Sequence, residues 1–107
     1  MEITAEQLRE KIKNGDKVIV DFWAEFCGPC KMMKPTFEKV SEEINNNKDG
    51  VIMYTMDVQK NQNYAVELGI RSIPTIKSFS NGKEVYSKVG IHGESQIKDL
   101  AKQLLNG

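Results

Sequence analysis

Apolar residues recur along this chain with two periods, one helical and one strand-like, and the switches between them mark out its elements. Thr4 followed by Gln7 has the spacing of a capping box, and Ala5, Leu8 and Ile12 line one stripe, which predicts a short helix ending near Asn14-Gly15. Lys17 to Trp23 follows as a strand with apolar residues on both faces, the pattern of a central strand covered by helices on each side. After a turn that holds both cysteines, Met33, Phe37, Val40 and Ile44 recur at helical spacing. They predict a second helix from about Pro29 to the Asn45-Asn46-Asn47 and Asp49-Gly50 loop, with a kink at Pro35.

Val51 to Val58 forms a second clear strand, and Tyr64, Ala65, Leu68 and the Gly69 stop outline a short helix behind it. This strand-helix alternation is the signature of parallel crossover units. From Pro74 the pattern changes. Thr75 to Ser80 and Lys83 to Val89 are strands joined by Asn81-Gly82, the strongest short hairpin signal, so the sheet gains an antiparallel edge. Ile97, Leu100, Ala101, Leu104 and Leu105 form the apolar face of a closing helix, with Glu94 in its first turn. No linker or repeat interrupts this order, and one α/β domain over residues 1–107 is expected.

Charge narrows the partners. Fifteen basic and fifteen acidic side chains cancel, and no Lys/Arg cluster stands out, so the electrostatic footprint of a nucleic-acid binder is missing. No basic region followed by an apolar stretch opens the chain, and no apolar run approaches the roughly 20 residues that span a bilayer. The expectation is a soluble, cytoplasmic protein without membrane contact.

The only two cysteines, Cys27 and Cys30, stand two residues apart at the junction of a buried strand and a helix. Thiol-disulfide exchange needs an exposed, stabilised thiolate and a second thiol close enough to displace the first mixed disulfide. With Pro29 as the first helical residue, Cys27 occupies a helix N-terminus, where unpaired N–H groups and the macrodipole favour negative charge. Cys27 is therefore assigned as nucleophile and Cys30, further into the helix and on its inner side, as the shielded resolving thiol. Asp21 interrupts a run of Val, Ile, Phe and Trp. Buried, it would have a raised pKa and could relay a proton to or from Cys30; turned outward by strand twist, it would be an ordinary surface carboxylate.

The string from Val20 to Lys31, with Trp23-Ala24 and Cys27-Gly28-Pro29-Cys30 at its heart, resembles the active-site signature of the thioredoxin family. Gly69-Ile70-Arg71-Ser72-Ile73-Pro74-Thr75 resembles its second hallmark, and the similarity continues through Asn81-Gly82 and Lys88-Val89-Gly90 to the final helix. That resemblance implies a thioredoxin fold, a central mixed sheet of four to five strands flanked by about four helices. It also implies a protein-disulfide reductase active in cell redox homeostasis and electron transport, recycled by a thioredoxin reductase and acting on disulfide-containing target proteins as a monomer. No cofactor beyond the Cys27-Cys30 pair is implied. Pro74 is expected to be cis beside the dithiol, and Trp23, Phe26, Gly28, Pro29, Ile73, Pro74, Gly90 and Ile91 are expected to line the groove for a target segment.

The chain departs from the family pattern in three places. Phe26 stands where the family usually has a second tryptophan, which keeps an aromatic surface but loses the indole N–H. Met53 is placed at the strand position where many members carry a lysine near the buried aspartate, so the relay around Asp21 is expected to lack that cation. Only Met1-Glu2-Ile3 is left for the family's initial strand, and that edge is expected to be vestigial.

Other readings compete at single residues. His92 is expected to be a solvated loop residue near the groove, and Met32, Met33, Met53 and Met56 core filler or groove lining. A structural zinc site wants four protein ligands, and beside the two cysteines only one histidine is available, which argues against metal within one chain. For the whole protein the alternative to a redox carrier is a binding module that clamps a partner without using its dithiol. Gly28-Pro29 between the cysteines resembles the reducing end of the family, against an oxidase or isomerase.

Overall fold

Thr4 closes the first helix by reciprocal bonds: the Gln7 N–H donates to Thr4 Oγ1 at 3.2 Å, and the Thr4 N–H donates to Gln7 Oε1 at 3.0 Å. The computed structural model describes every residue from Met1 to Gly107. Its elements are α1 (Ala5–Lys13), β1 (Lys17–Trp23), α2 (Gly28–Asn47), β2 (Val51–Asp57), α3 (Gln62–Glu67), β3 (Thr75–Ser80), β4 (Lys83–Val89) and α4 (Glu94–Asn106). Pro35 lies inside α2, which continues on both sides of it. No helix is long and apolar enough to cross a membrane.

The four strands form one mixed sheet in the order β2-β1-β3-β4, with β1 parallel to β2 and antiparallel to β3. Alternation along β1 divides the core. Ile19 joins Met53 and Ile76 under α2 and α4, against Met33, Phe37, Val40, Ile97 and Leu100. Val18, Val20 and Phe22 point the other way, to Met56, Phe79, Leu8 of α1 and Tyr64 of α3. Each of these buried side chains stabilises the fold by roughly 2 kcal/mol. A strand covered on both faces must be apolar throughout, which is why β1 shows no alternation of polarity except at Asp21.

Both sheet edges are protected. The β3–β4 hairpin turns through Asn81 and Gly82 with φ of 57° and 81°, the primed turn that an Asn-Gly pair favours, and its outer strand is largely exposed and interrupted by a register shift at Ser78/Phe79. On the other edge, the Asn45 side chain bonds both backbone groups of Met53, at 2.8 and 3.2 Å. Beside it the N-terminal segment adds one isolated bridge, Glu2 with Thr55, in place of a full strand. The vestigial initial edge is therefore observed, and the sheet has four strands. Leu105 departs from its expected burial: it lies on the outer margin of the α4 stripe and is 38 % exposed.

Register brings the chemistry to one end of the sheet. Trp23 ends β1 opposite Asp57, Phe22 faces Thr75 at the start of β3, and Thr75 faces Val89 at the end of β4. The segments around Cys27, Pro74 and Gly90 consequently meet above the same strand ends.

Candidate active site

Cys27 is the N-cap of α2, with extended φ and ψ of −85° and 109°, and its Sγ accepts the Cys30 N–H at 3.2 Å. A sulfur thus fills the capping position usually taken by a Ser or Asp oxygen. Gly28, not Pro29, is the first helical residue, so the proline stands one position further in than expected, where its missing N–H still leaves no helical bond unmade. Cys27 and Cys30 are joined as a disulfide with their Cα atoms 5.3 Å apart, within the range such a bridge requires. In this oxidised form the two are almost equally covered, at 7 % and 4 % exposure. Their surroundings differ more than their exposure does.

Cys27 faces the wall formed by Ile73 and Pro74. The bond between these two is cis, and the Ile73 carbonyl oxygen lies 3.8 Å from Cys27 Sγ. The Gly90 N–H donates to the Pro74 carbonyl at 2.8 Å, which draws the loop carrying exposed Ile91 to the same wall. Gly28 and Pro29 are exposed beside the disulfide, and Phe26 is 72 % exposed. Trp23 packs on the cluster of Ala24, Cys27 and Cys30, while its indole N–H donates to Glu2 Oε1 at 3.0 Å.

Cys30 instead faces Asp21. Both line a cleft of about 670 Å³ that also includes Glu2, Trp23, Lys34 and Thr55. Asp21 is 4 % exposed, so the outward-turned alternative does not hold, and its Oδ1 has no hydrogen-bond partner. Burial, reinforced by the negative charge of Glu2, pushes the Asp21 carboxyl up to about 7. In the parallel register Met53 pairs with Ile19, two residues before Asp21 on the same face of β1, and the residue directly opposite Asp21 is Thr55. Met53 thus stands diagonal to Asp21 with an apolar side chain.

The expectation that His92 is a solvated loop residue needs correction. The residue is 3 % exposed, with Nδ1 2.9 Å from the Gly90 carbonyl oxygen, Nε2 3.0 Å from Tyr86 Oη, and its backbone N–H donating to Met33 Sδ at 3.3 Å. Both ring nitrogens find polar partners and the backbone N–H a third, so the residue can be buried, which a loop position after glycine does not reveal. Met32 is 72 % exposed near the disulfide, while Met33, Met53 and Met56 are core residues. Glu2 went unnoticed in the sequence, since its partners Trp23, Thr55 and Asp57 are remote along the chain.

A disulfide at a helix N-terminus, with a backbone-lined wall on one side and a buried carboxyl near neutrality on the other, defines a dithiol-disulfide exchange protein. The Thioredoxin family model matches residues 1–103. A thioredoxin of Rickettsia felis is 39 % identical over 98 residues, covering 91 % of this chain and 90 % of that protein. The solved thioredoxin of Malassezia sympodialis superimposes with a TM-score of 0.82 at 35 % identity, covering 95 % of this chain and 88 % of that one. The Fasciola hepatica thioredoxin structure gives a TM-score of 0.82 at 29 % identity, over 97 % and 99 % of the two chains. The chain belongs to the thioredoxin family, and its activity is the reduction of protein disulfides by thiol-disulfide exchange.

Proposed function

We propose that Cys27 is the attacking thiol, Cys30 the resolving thiol and Asp21 the proton acceptor of a cytoplasmic disulfide reductase that works as a monomeric single domain. The observation that carries this reading is the Cys30 N–H directed at Cys27 Sγ on the first turn of α2. In the reduced protein that donor and the helix dipole favour negative charge on Cys27 and not on Cys30.

The Cys27 thiolate attacks one sulfur of a target disulfide, forming a mixed disulfide and expelling the other target sulfur as a thiolate that takes up a proton. Cys30 then loses its proton to Asp21 and attacks Cys27 Sγ. The Cys27–Cys30 bond forms, the mixed disulfide breaks, and the second target sulfur leaves as a thiolate that takes up a proton. Two electrons have passed to the target, and a thioredoxin reductase supplies two more that reduce the Cys27–Cys30 disulfide back to the dithiol, placing the protein in an electron-transport chain. The dithiol itself carries the electrons, so neither a cofactor nor a metal is required. An extended target segment would lie against Ile73, Pro74, Gly90 and Ile91, with Trp23, Phe26, Gly28 and Pro29 along its other side.

Trapping tests the assignment. Reduced Cys30→Ser protein mixed with a disulfide-containing target should accumulate a stable mixed disulfide through Cys27, and Cys27→Ser should accumulate none. Adducts forming chiefly through Cys30 would reverse the roles.

A further inference from the structure

Glu2 carries three hydrogen bonds that no other part of the fold duplicates. Its Oε1 accepts from the Trp23 indole N–H at 3.0 Å and from Thr55 Oγ1 at 2.6 Å, and its Oε2 accepts from the Asp57 N–H at 2.7 Å. The backbone beside it is pinned by the bonds of Thr55 N–H to the Met1 carbonyl and of Ile3 N–H to the Thr55 carbonyl, both 2.8 Å. A carboxylate on the edge of β2 is thereby fixed between the indole that covers the cysteines and the residue paired with Asp21.

We infer that Glu2 is a positioning residue of the redox site, whose carboxylate holds the Trp23 indole against the disulfide and presents a fixed negative charge to the Asp21 cleft. Anchoring comes from the geometry. A charged acceptor shared by an indole N–H, a hydroxyl and a backbone N–H leaves the carboxylate little freedom, and such bonds are stronger than neutral ones. The charge acts on Asp21, which has no bond of its own at Oδ1 and therefore responds to whatever field the cleft supplies. The other charged or titratable residues lining that cleft are Met1 with its amino group, Glu25 from the loop before α2, and Lys31, Lys34 and Glu38 from α2 beside the disulfide sulfur of Cys30; β2 contributes uncharged Thr55, and β3 pairs uncharged Ile76 with Asp21. Only Glu2, among the charged groups, is bonded to both the strand opposite Asp21 and the tryptophan.

The consequence for catalysis rests on the reading of Asp21 as proton acceptor, but the positioning itself does not. Trp23 is the only tryptophan, so its indole N–H gives a single NMR signal in the intact oxidised protein. In Glu2→Ala that proton should exchange with solvent about tenfold faster than in the parent, and its resonance should move; Glu2→Asp should restore part of the protection. The Asp21 midpoint, followed through a labelled carboxyl carbon, should fall below its value near 7 in Glu2→Ala and Glu2→Gln, and recover in Glu2→Asp. An indole signal unchanged in Glu2→Ala, or an Asp21 midpoint unmoved by both uncharged variants, overturns the inference. A downward shift of that midpoint should be matched by the pH profile of mixed-disulfide resolution. If the midpoint shifts and the profile does not, Glu2 positions the site as inferred, and it is the role of Asp21 in resolution that fails.

Discussion

The Cys30 N–H donates to the sulfur of Cys27, its partner in the disulfide, so the bridge already holds the donor that the reduced site needs. A thiolate formed at Cys27 would sit on a sulfur that this donor already faces, and the first turn of α2 adds its dipole. The reduced protein should therefore be alkylated at Cys27 about tenfold faster than at Cys30 near pH 6, read by peptide mass spectrometry after brief iodoacetamide treatment.

Asp21 should control the second step. Its carboxyl loses its proton near 7, and only the ionised form can accept the Cys30 proton. The rate of mixed-disulfide resolution should rise with pH through about 7 in the parent. Asp21→Asn should abolish that step and slow resolution about tenfold or more at pH 8. Stopped-flow tryptophan fluorescence, with its single reporter at Trp23, follows the reaction. An unchanged rate in the variant removes Asp21 from the mechanism.

The same carboxyl costs stability. Unfolded, it releases its proton near 3.8; folded, near 7. Between these values the native state binds the extra proton, so the associated stability is present in full below 3.8, declines above it, and is gone once pH has risen through about 7. Oxidised Asp21→Asn should match the parent near pH 3 and exceed it above pH 8 by up to about 4 kcal/mol. Urea unfolding at the two pH values measures the difference, and equal gaps at both would mean the carboxyl is not displaced from its ordinary range.

Tyr86 and His92 should behave as a unit. Tyr86→Phe leaves His92 Nε2 buried without its partner, which should destabilise the protein by about 1–2 kcal/mol. His92 Nδ1 also bonds the Gly90 carbonyl, whose residue is tied to Pro74. Amide exchange at Gly90 should accordingly quicken in His92→Ala while exchange in α1, on the opposite face, stays unchanged.

Legibility in the sequence followed the range of the interaction concerned. β1, the Asn81-Gly82 hairpin and the Thr4 cap rest on contacts within a few residues, and each sits where the pattern predicts. The cysteine pair was legible for the same reason. Asp21 was ambiguous, because strand alternation cannot separate a buried carboxyl from an exposed one when both faces of the strand are apolar. Naming Thr55 as the residue directly opposite Asp21 requires the β1–β2 register, which no local motif encodes. His92 and Glu2 owe their roles to partners between 2 and 59 residues away along the chain, and nothing next to them announces it.

Phe26 offers the last measurable consequence. It is a large aromatic side chain, 72 % exposed, immediately before Cys27, and it belongs to none of the core clusters. Its removal should therefore leave stability nearly unchanged. An exposed ring beside a reactive sulfur can still bury apolar area against a protein target, and such anchors carry a large share of binding energy. Phe26→Ala should lower kcat/KM for a disulfide-containing protein by about fivefold to tenfold, while reduction of a small-molecule disulfide proceeds at the parent rate. Phe26→Trp should match or exceed the parent on protein targets, because it restores an indole N–H donor on the same surface. An equal loss on both substrates in Phe26→Ala would place its effect on the dithiol itself and not on the target-binding surface.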